Sequence, residues 1–497
     1  MSLKKRNRST SRRSLRVETL ERREVLAGNV TAMLVGSTLV INGDGADNQV
    51  AVISLGNNRY AVAGVNTTIN GRAGTFTTPR ATISISADLK AGNDAIGFSN
   101  NADALGDLAF DNFGVNLANL GIDVAALQTQ INALTNVTKF TLAGNISVIG
   151  AAGNDLIGIV GDVGGSITAN LGAAATNGFN AFGIDGSSLA ANGTVGGVIS
   201  VLGDRQSDGV AVISTDVRGG VVSSLRDGDN GLDVFDALVG GSITYSGGNG
   251  NDFVQVEDST VVGVVSAVLG EGAFNDFAAY DSILGGVSVL GGSGQEFVDT
   301  ANVEVKTNVI VSTFAGNDDI NLHEHGAGST DVAGLISVDS GSGDDFVEVS
   351  GESGSLSVLT GDGLDEVVVY DSMFKYNVTV NTGNHNDDVT MDNVEIGGML
   401  TVLLGEGNDV LDVDGLVVGL NALLDAGGGD DVATIIDADI AFAFTALMGA
   451  GNDTLNITTS SAMTAMLDGG AGALDELNAD AASIAAVDNL FANGFEL

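Results

Sequence analysis

The chain has 497 residues, 72 of them glycine, with one proline, no tryptophan and no cysteine, and it carries 63 acidic against 19 basic residues for a formal net charge of −44. The missing cysteines exclude disulfides, thiolate metal sites and cysteine nucleophiles. The charge disfavours nucleic acid and anionic membrane surfaces and favours divalent cations, while a mean hydropathy above zero argues against disorder.

Nine of the basic residues fall in the first 23 positions, against two acids, so the remainder holds 10 basic and 61 acidic residues, net −51. Residues 1–28 therefore read as a basic targeting segment. An ordinary secretory leader follows its basic run at once with an apolar core. Here Val25 to Ile41 is interrupted by Gly28, Asn29, Thr31, Gly36 and Ser37, too polar to span a bilayer. Leu20-Glu21-Arg22-Arg23-Glu24-Val25-Leu26, with Arg12, Arg13 and Arg16 upstream, resembles the LEPR-type leader of large repetitive bacterial surface and secreted proteins, Arg22 standing where that family carries proline. The resemblance implies export, to a secreted or cell-surface location. The alternative is a basic tail or a nucleic-acid-binding arm.

Residues 29–113 form a strand-like N-terminal section with degenerate turn units at Asp47 and Asp94, either the first part of a larger array or a small separate β unit. Between residues 114 and 137, Leu117, Leu120, Val124, Leu127, Ile131 and Leu134 recur at spacings of three and four, which predicts an amphipathic helix. It either caps or lies against the array, or binds a partner.

Residues 138–480 repeat, with turn units at Asp155, Asp233, Asp252, Asp276, Glu296, Asp318 and Asp345 at varying spacings, and then at a constant 22 residues from Leu356 to Val487. A fixed period of this length marks a repeat architecture. Within each block apolar residues fall at positions 1 and 3, 12 and 14, and near 19, as in Leu400, Val402, Leu411, Val413 and Val418. Spacing of two puts each pair on one strand face. Three short inward segments separated by Gly/Asp/Asn turns describe one triangular coil, and stacked coils place like residues over like, as in Val369, Met391, Val413, Ile435, Ile457 and Ala479. Glycine holds position 6 in five of six blocks, where a corner needs positive φ or close approach. The expected fold is all-β, a right-handed parallel β-helix of about 22 residues per coil and roughly 70 Å long, plus the one inserted or capping helix. Residues 481–497 read as a C-terminal tail that caps the last coil, the alternative being an uncleaved C-terminal export signal.

Position 10 of every regular block is aspartate: Asp365, Asp387, Asp409, Asp431, Asp453 and Asp475. Stacking lines these carboxylates up, and the expectation is that they sit on outer corners where their repulsion calls for a cation. Gly247-Gly248-Asn249-Gly250-Asn251-Asp252-Phe253-Val254-Gln255 resembles the hemolysin-type, or RTX, calcium-binding nonapeptide, and Gly291 to Asp299 fits it with Glu296 in place of aspartate. The resemblance implies calcium between successive turns, held by Asp252, Asp318, Asp345, Asp365, Asp387, Asp409, Asp431 and Asp453 with neighbouring glycine carbonyls. That family runs two such turns per shorter coil, however, and this chain has one per coil. The alternative is that the aspartates accept hydrogen bonds from adjacent backbone N–H groups, with raised pKa values and no metal.

Catalytic motifs are absent from the sequence. His323 and His325 flank Glu324 and share a face if extended, with no third ligand in reach. Cations in the coils are scattered at Arg205, Arg218, Arg226, Lys306 and Lys375. The expected function is non-catalytic: an exported, calcium-stabilised acidic solenoid acting as a cell-surface structural or adhesive protein, with cell-envelope polysaccharide or matrix as partner, no nucleic acid and no transmembrane segment. The alternative is a carbohydrate-active β-helix enzyme, which a cluster of Asp, Arg and Tyr on one lateral face would favour.

Overall fold

The structure is a computed structural model that describes residues 28–105, 107, 124–173, 178–323, 330–472, 474–480 and 487–495. It is a parallel β-solenoid of about 15 turns. The two-residue apolar spacing produces it directly. Along Val378–Asn384, Val378 and Val380 turn inward and are fully buried, while Thr379 and Asn381 turn outward. Three strands close the coil that begins at Leu400: Leu400–Glu406, Val410–Asp414 and Val417–Val418. Each pairs in parallel with its counterpart 22 residues away on both sides, so Leu400 lies between Val378 and Ala422, and Val410 between Asp388 and Val432.

Stacking builds the core. Val369, Met391, Val413, Ile435 and Ile457 form one inward column and each is less than a tenth exposed. Burial of one such side chain stabilises by about 1.5–3 kcal/mol, and one continuous core runs from Val30 to Leu467. The corner after the second strand is turned by one residue in the left-handed region: Asp258, Asp281, Asn302, Asp371, Asn393, Gly415 and Asp437 all have φ between +45° and +70°. Asp, Asn and Gly tolerate this conformation best.

The N-terminal section belongs to the same stack. Thr38–Asn42 pairs in parallel with Ser84–Asp88, which pairs with Ile146–Ile149, so its strands share the sheet of the later coils. Antiparallel strands finish this end: Gly28–Val35 folds back on Thr38–Asn42, and Gln49–Ser54 on Tyr60–Gly64. The rings of Tyr60, Phe98 and Phe140 fill the interior there, with centroids 5.9 and 5.6 Å apart.

The predicted helix is present as Val124–Asn132, which we label α1. Leu127 and Ile131 are buried against Ala51, Ile53, Ala61 and Ala63, on the outer side of the first strands, with Val124 and Leu134 beside them. Leu117 and Leu120 lie outside the described residues. A short helical turn also spans residues 102–105. These elements interrupt the repeat between Asp94 and Asp155, which accounts for their separation of 61 residues. At the other end Val487–Asn493 pairs with Ser461–Asp468 as a further strand of the stack.

Lys90, Ala151, Arg226 and Phe314 take left-handed φ at their corners, and one further strained corner lies in the regular coils. Position 8 of the regular coils is Gly407, Gly429 and Gly451, but in one coil it is His385, at φ +82°. An L-residue in this region costs about 1–2 kcal/mol. We expect His385→Gly to raise stability by about 1 kcal/mol after the extra chain entropy of glycine is subtracted, measurable as an upward shift of the urea midpoint. A downward shift would mean that the ring contributes more than the strain costs.

Candidate functional site

The turn aspartates line up as the repeat predicts, but they face inward. Asp252, Asp318, Asp345, Asp365, Asp387, Asp409, Asp431 and Asp453 are 0–2% exposed, so the expectation of acidic outer corners is corrected. The reason is a hydrogen bond that only stacking creates. Oδ1 of each aspartate accepts the backbone N–H of the equivalent residue one coil earlier: Asp387 N–H donates to Asp409 at 2.9 Å, Asp409 N–H to Asp431 at 2.9 Å and Asp431 N–H to Asp453 at 3.0 Å. These are inter-coil bonds, where the sequence reading had adjacent backbone groups as partners. The ladder starts with Asn48 N–H on Asp94 and Asp94 N–H on Asp155, and runs to Asp453 N–H on Asp475.

Three turn assignments move: in the first coil the ladder residue is Asn48, and Asp47 lies in the exposed row, where it accepts the Asn93 N–H. Asp233 and Asp276 stand half-exposed on an outer sheet face, and the ladder positions of their coils are Asn230 and Asn275. Leu232 must point inward to join Val254, which forces Asp233 outward. Counting back 22 residues from Asp252 reaches Asn230 and then Asp208, a signal that matching the Gly-Asn-Asp motif passes over.

The residue before a ladder aspartate, where it is Asn or Asp and not Leu364 or Leu474, forms a second ladder, exposed and running the opposite way. Asn408 N–H donates to Asn386, Asp430 N–H to Asn408 and Asn452 N–H to Asp430, each at 2.8 Å. The glycines complete the corner. At Gly405, Gly427 and Gly449 φ is +91° to +103°, and an added Cβ would lie 1.8–1.9 Å from the carbonyl oxygen of the equivalent glycine one coil earlier. The whole Gly-x-Gly-Asn-Asp unit is therefore accounted for by bonds and close approaches between coils.

Apart from Asp208, whose Oδ2 accepts the Asp204 N–H at 3.1 Å, the acidic residues of the inner ladder each keep one oxygen unmatched. Oδ2 of Asp94, Asp155, Asp252, Asp318, Asp345, Asp365, Asp387, Asp409, Asp431, Asp453 and Asp475 is buried without a hydrogen-bond partner, as is Oε2 of Glu296. Burial pushes Asp94, Asp155, Asp252, Asp345, Asp387 and Asp431 up to about 7, Asp208 to about 6 and Glu296 to about 8, the backbone and side-chain hydrogen bonds offsetting part of the rise. It also raises Asp318, Asp365, Asp409 and Asp453. Two ionised carboxylates one strand spacing apart, about 4.8 Å, repel by roughly 3 kcal/mol at an effective dielectric of about 20.

These residues do not fit a calcium cage. The ion takes six to eight oxygens, yet in the regular coils Oδ1 of each aspartate and the carbonyls of Gly405 and Gly427 already accept a backbone N–H, so each corner offers one unengaged carboxylate oxygen, Oδ2. Among the described residues no three His, Cys, Asp or Glu side chains converge as a metal centre would require.

Two other places gather polar groups. On one lateral face Tyr280 donates its hydroxyl to Asp299 at 2.8 Å, and His323 Nδ1 lies 3.9 Å from the other oxygen of Asp299. His323 is half-buried at the end of a strand, while Glu324 and His325 lie outside the described residues. Around the third corner a shallow groove of about 530 Å³ is lined by Glu304, Asp331, Glu352, Glu395, Lys306 and Lys375. Sequence spacing missed both, because their members sit on successive coils. Among the described residues no helix is long and apolar enough to cross a membrane. The chain matches no family model, no curated protein and no solved structure with which it was compared.

Proposed function

We propose that the chain is a non-catalytic structural rod, exported to the cell surface or matrix, whose acidic faces serve adhesion to envelope polysaccharide or matrix. The observation that carries this reading is the continuous stack, in which the turn aspartates, asparagines and glycines bond to or pack against the neighbouring coils. The LEPR-like segment, whose residues 1–27 lie outside those described, supports export. Expression of the full chain and of a chain lacking residues 1–28, followed by cell fractionation, tests it. The full chain is expected at the surface or in the medium and the truncated chain inside; equal distribution of the two would remove the export reading.

The groove favours a second reading, a carbohydrate-active enzyme, because it brings Glu304, Asp331, Glu352 and Glu395 together with two of the few lysines. Arginine is not part of it. The purified chain is expected to release no reducing ends or unsaturated products from a polysaccharide panel. Turnover that Glu352→Gln abolishes would move the protein to the enzyme class.

A further inference from the structure

The coils in which asparagine replaces aspartate show what the inner ladder binds. Asn180, Asn230 and Asn275 accept the same inter-coil backbone N–H through Oδ1, from Asp155, Asp208 and Asp252 at 2.8, 3.0 and 3.0 Å. That acceptance fixes the amide orientation, so Nδ2 points where Oδ2 points in the aspartate coils. There it donates: Asn230 to the carbonyls of Arg226 and Gly228, both at 2.9 Å, Asn275 to Gly270 at 3.2 Å and to Glu296 at 3.0 Å, and Asn180 to Asp208 at 3.0 Å. Asn48 does the same toward Ala46 at 2.7 Å. At Asp208 Oδ2 accepts the Asp204 backbone N–H at 3.1 Å, whereas at Asn48, Asn230 and Asn275 the spot is lined by acceptors and takes a donor. An ionised aspartate has none to offer.

We propose that the buried aspartates from Asp94 to Asp453 whose Oδ2 is unmatched form a proton-binding ladder, in which each carries a proton on Oδ2 and donates it to a carbonyl of its own corner as the Asn230 amide does. One proton on each such aspartate turns an acceptor into a donor and removes its charge from the column. The proton comes from solvent on folding, and no cation is needed. The inference is independent of where the protein works.

Its consequence is a solenoid that is more stable in acid than in mild alkali. The folded carboxyl pKa lies above the unfolded value of about 3.9. The contribution is therefore complete below that value and is lost as pH rises through the folded values of about 7. The charged and titratable groups facing the column are Asp44 and Asp47 beside Asp94, Asp204 beside Asp208, and the Tyr245 hydroxyl on Asp252 at 2.9 Å. Further along are Asp344 and His385 beside Asp365, and Asp430 beside Asp431 and Asp453. Asp233, Asp276 and Asp388 on the outer sheet face are also raised, by burial and neighbouring carboxylates, and are the background to subtract.

The test uses the full chain in the presence of a chelator. Its thermal midpoint is expected to fall by several degrees from about pH 5.5 to about pH 8.5, and infrared spectra at about pH 5.5 to show un-ionised carboxylic acid that disappears at alkaline pH. The triple variant Asp409→Asn, Asp431→Asn, Asp453→Asn should keep the fold, lose part of the acid signal and melt higher than the parent at the alkaline end. A midpoint flat across the range, or ladder carboxyls ionised at about pH 5.5, would overturn the proposal. So would an alkaline midpoint that calcium chloride raises in the parent and not in the variant, which would hand the column to calcium. The infrared measurement on the parent stands even if the variant does not fold.

Discussion

The Gly427→Ala variant is expected to lose about 3 kcal/mol or more of local stability, and with it the amide-exchange protection of the coils on either side. Two costs add. Gly427 has φ +91°, where an L-residue is strained by about 1–2 kcal/mol. Its Cβ would also lie 1.9 Å from the carbonyl oxygen of Gly405 and 2.8 Å from the carbon. Relief requires separation of two hydrogen-bonded coils, an overpacking cost of about 1–3 kcal/mol. The adjacent residue supplies the control. At Gly428 an added Cβ meets only the end of the flexible Glu406 side chain, at 3.0 Å, and φ is not in the left-handed region. Gly428→Ala should change stability by no more than about 0.5 kcal/mol. Equal losses at the two positions would show that clearance between coils is not what the column glycine provides.

Deletion of one complete coil, residues 400–421, is expected to leave a folded rod about 4.8 Å shorter, whereas deletion of residues 400–410 should disrupt the coils around the cut. After the full deletion Ala422 takes the place of Leu400 against Val378, and Asp431 the place of Asp409 under Asp387, because each pair is 22 residues apart. After the half deletion an inward strand position is aligned with a corner, so apolar columns meet water and the ladder loses its acceptor. Coil stability is a sum of nearest-neighbour terms, so the damage is local and large. Circular dichroism and limited proteolysis distinguish the two variants; similar behaviour of both would refute in-register stacking as the source of stability.

The sequence by itself determined the coil, its period and its inward columns. The two-residue spacing of Leu400 with Val402 and of Leu411 with Val413, repeated every 22 residues, admits one way of burying them. The amphipathic helix and the glycine column were legible on the same ground, because apolar periodicity and glycine spacing are local properties of a chain. What only the tertiary structure decided is where the aspartates point and what they touch. Asp409 and Asp431 read alike whether their carboxylates face water, calcium or another backbone, since the deciding N–H group lies 22 residues away and comes within 2.9 Å only after the coils have stacked. The same holds for Asn230 in place of Asp233, and for His323 beside Asp299. Hydrogen bonds between coils are long-range in sequence and short-range in space, so the choice between an outer ion site and an inner ladder is made by packing.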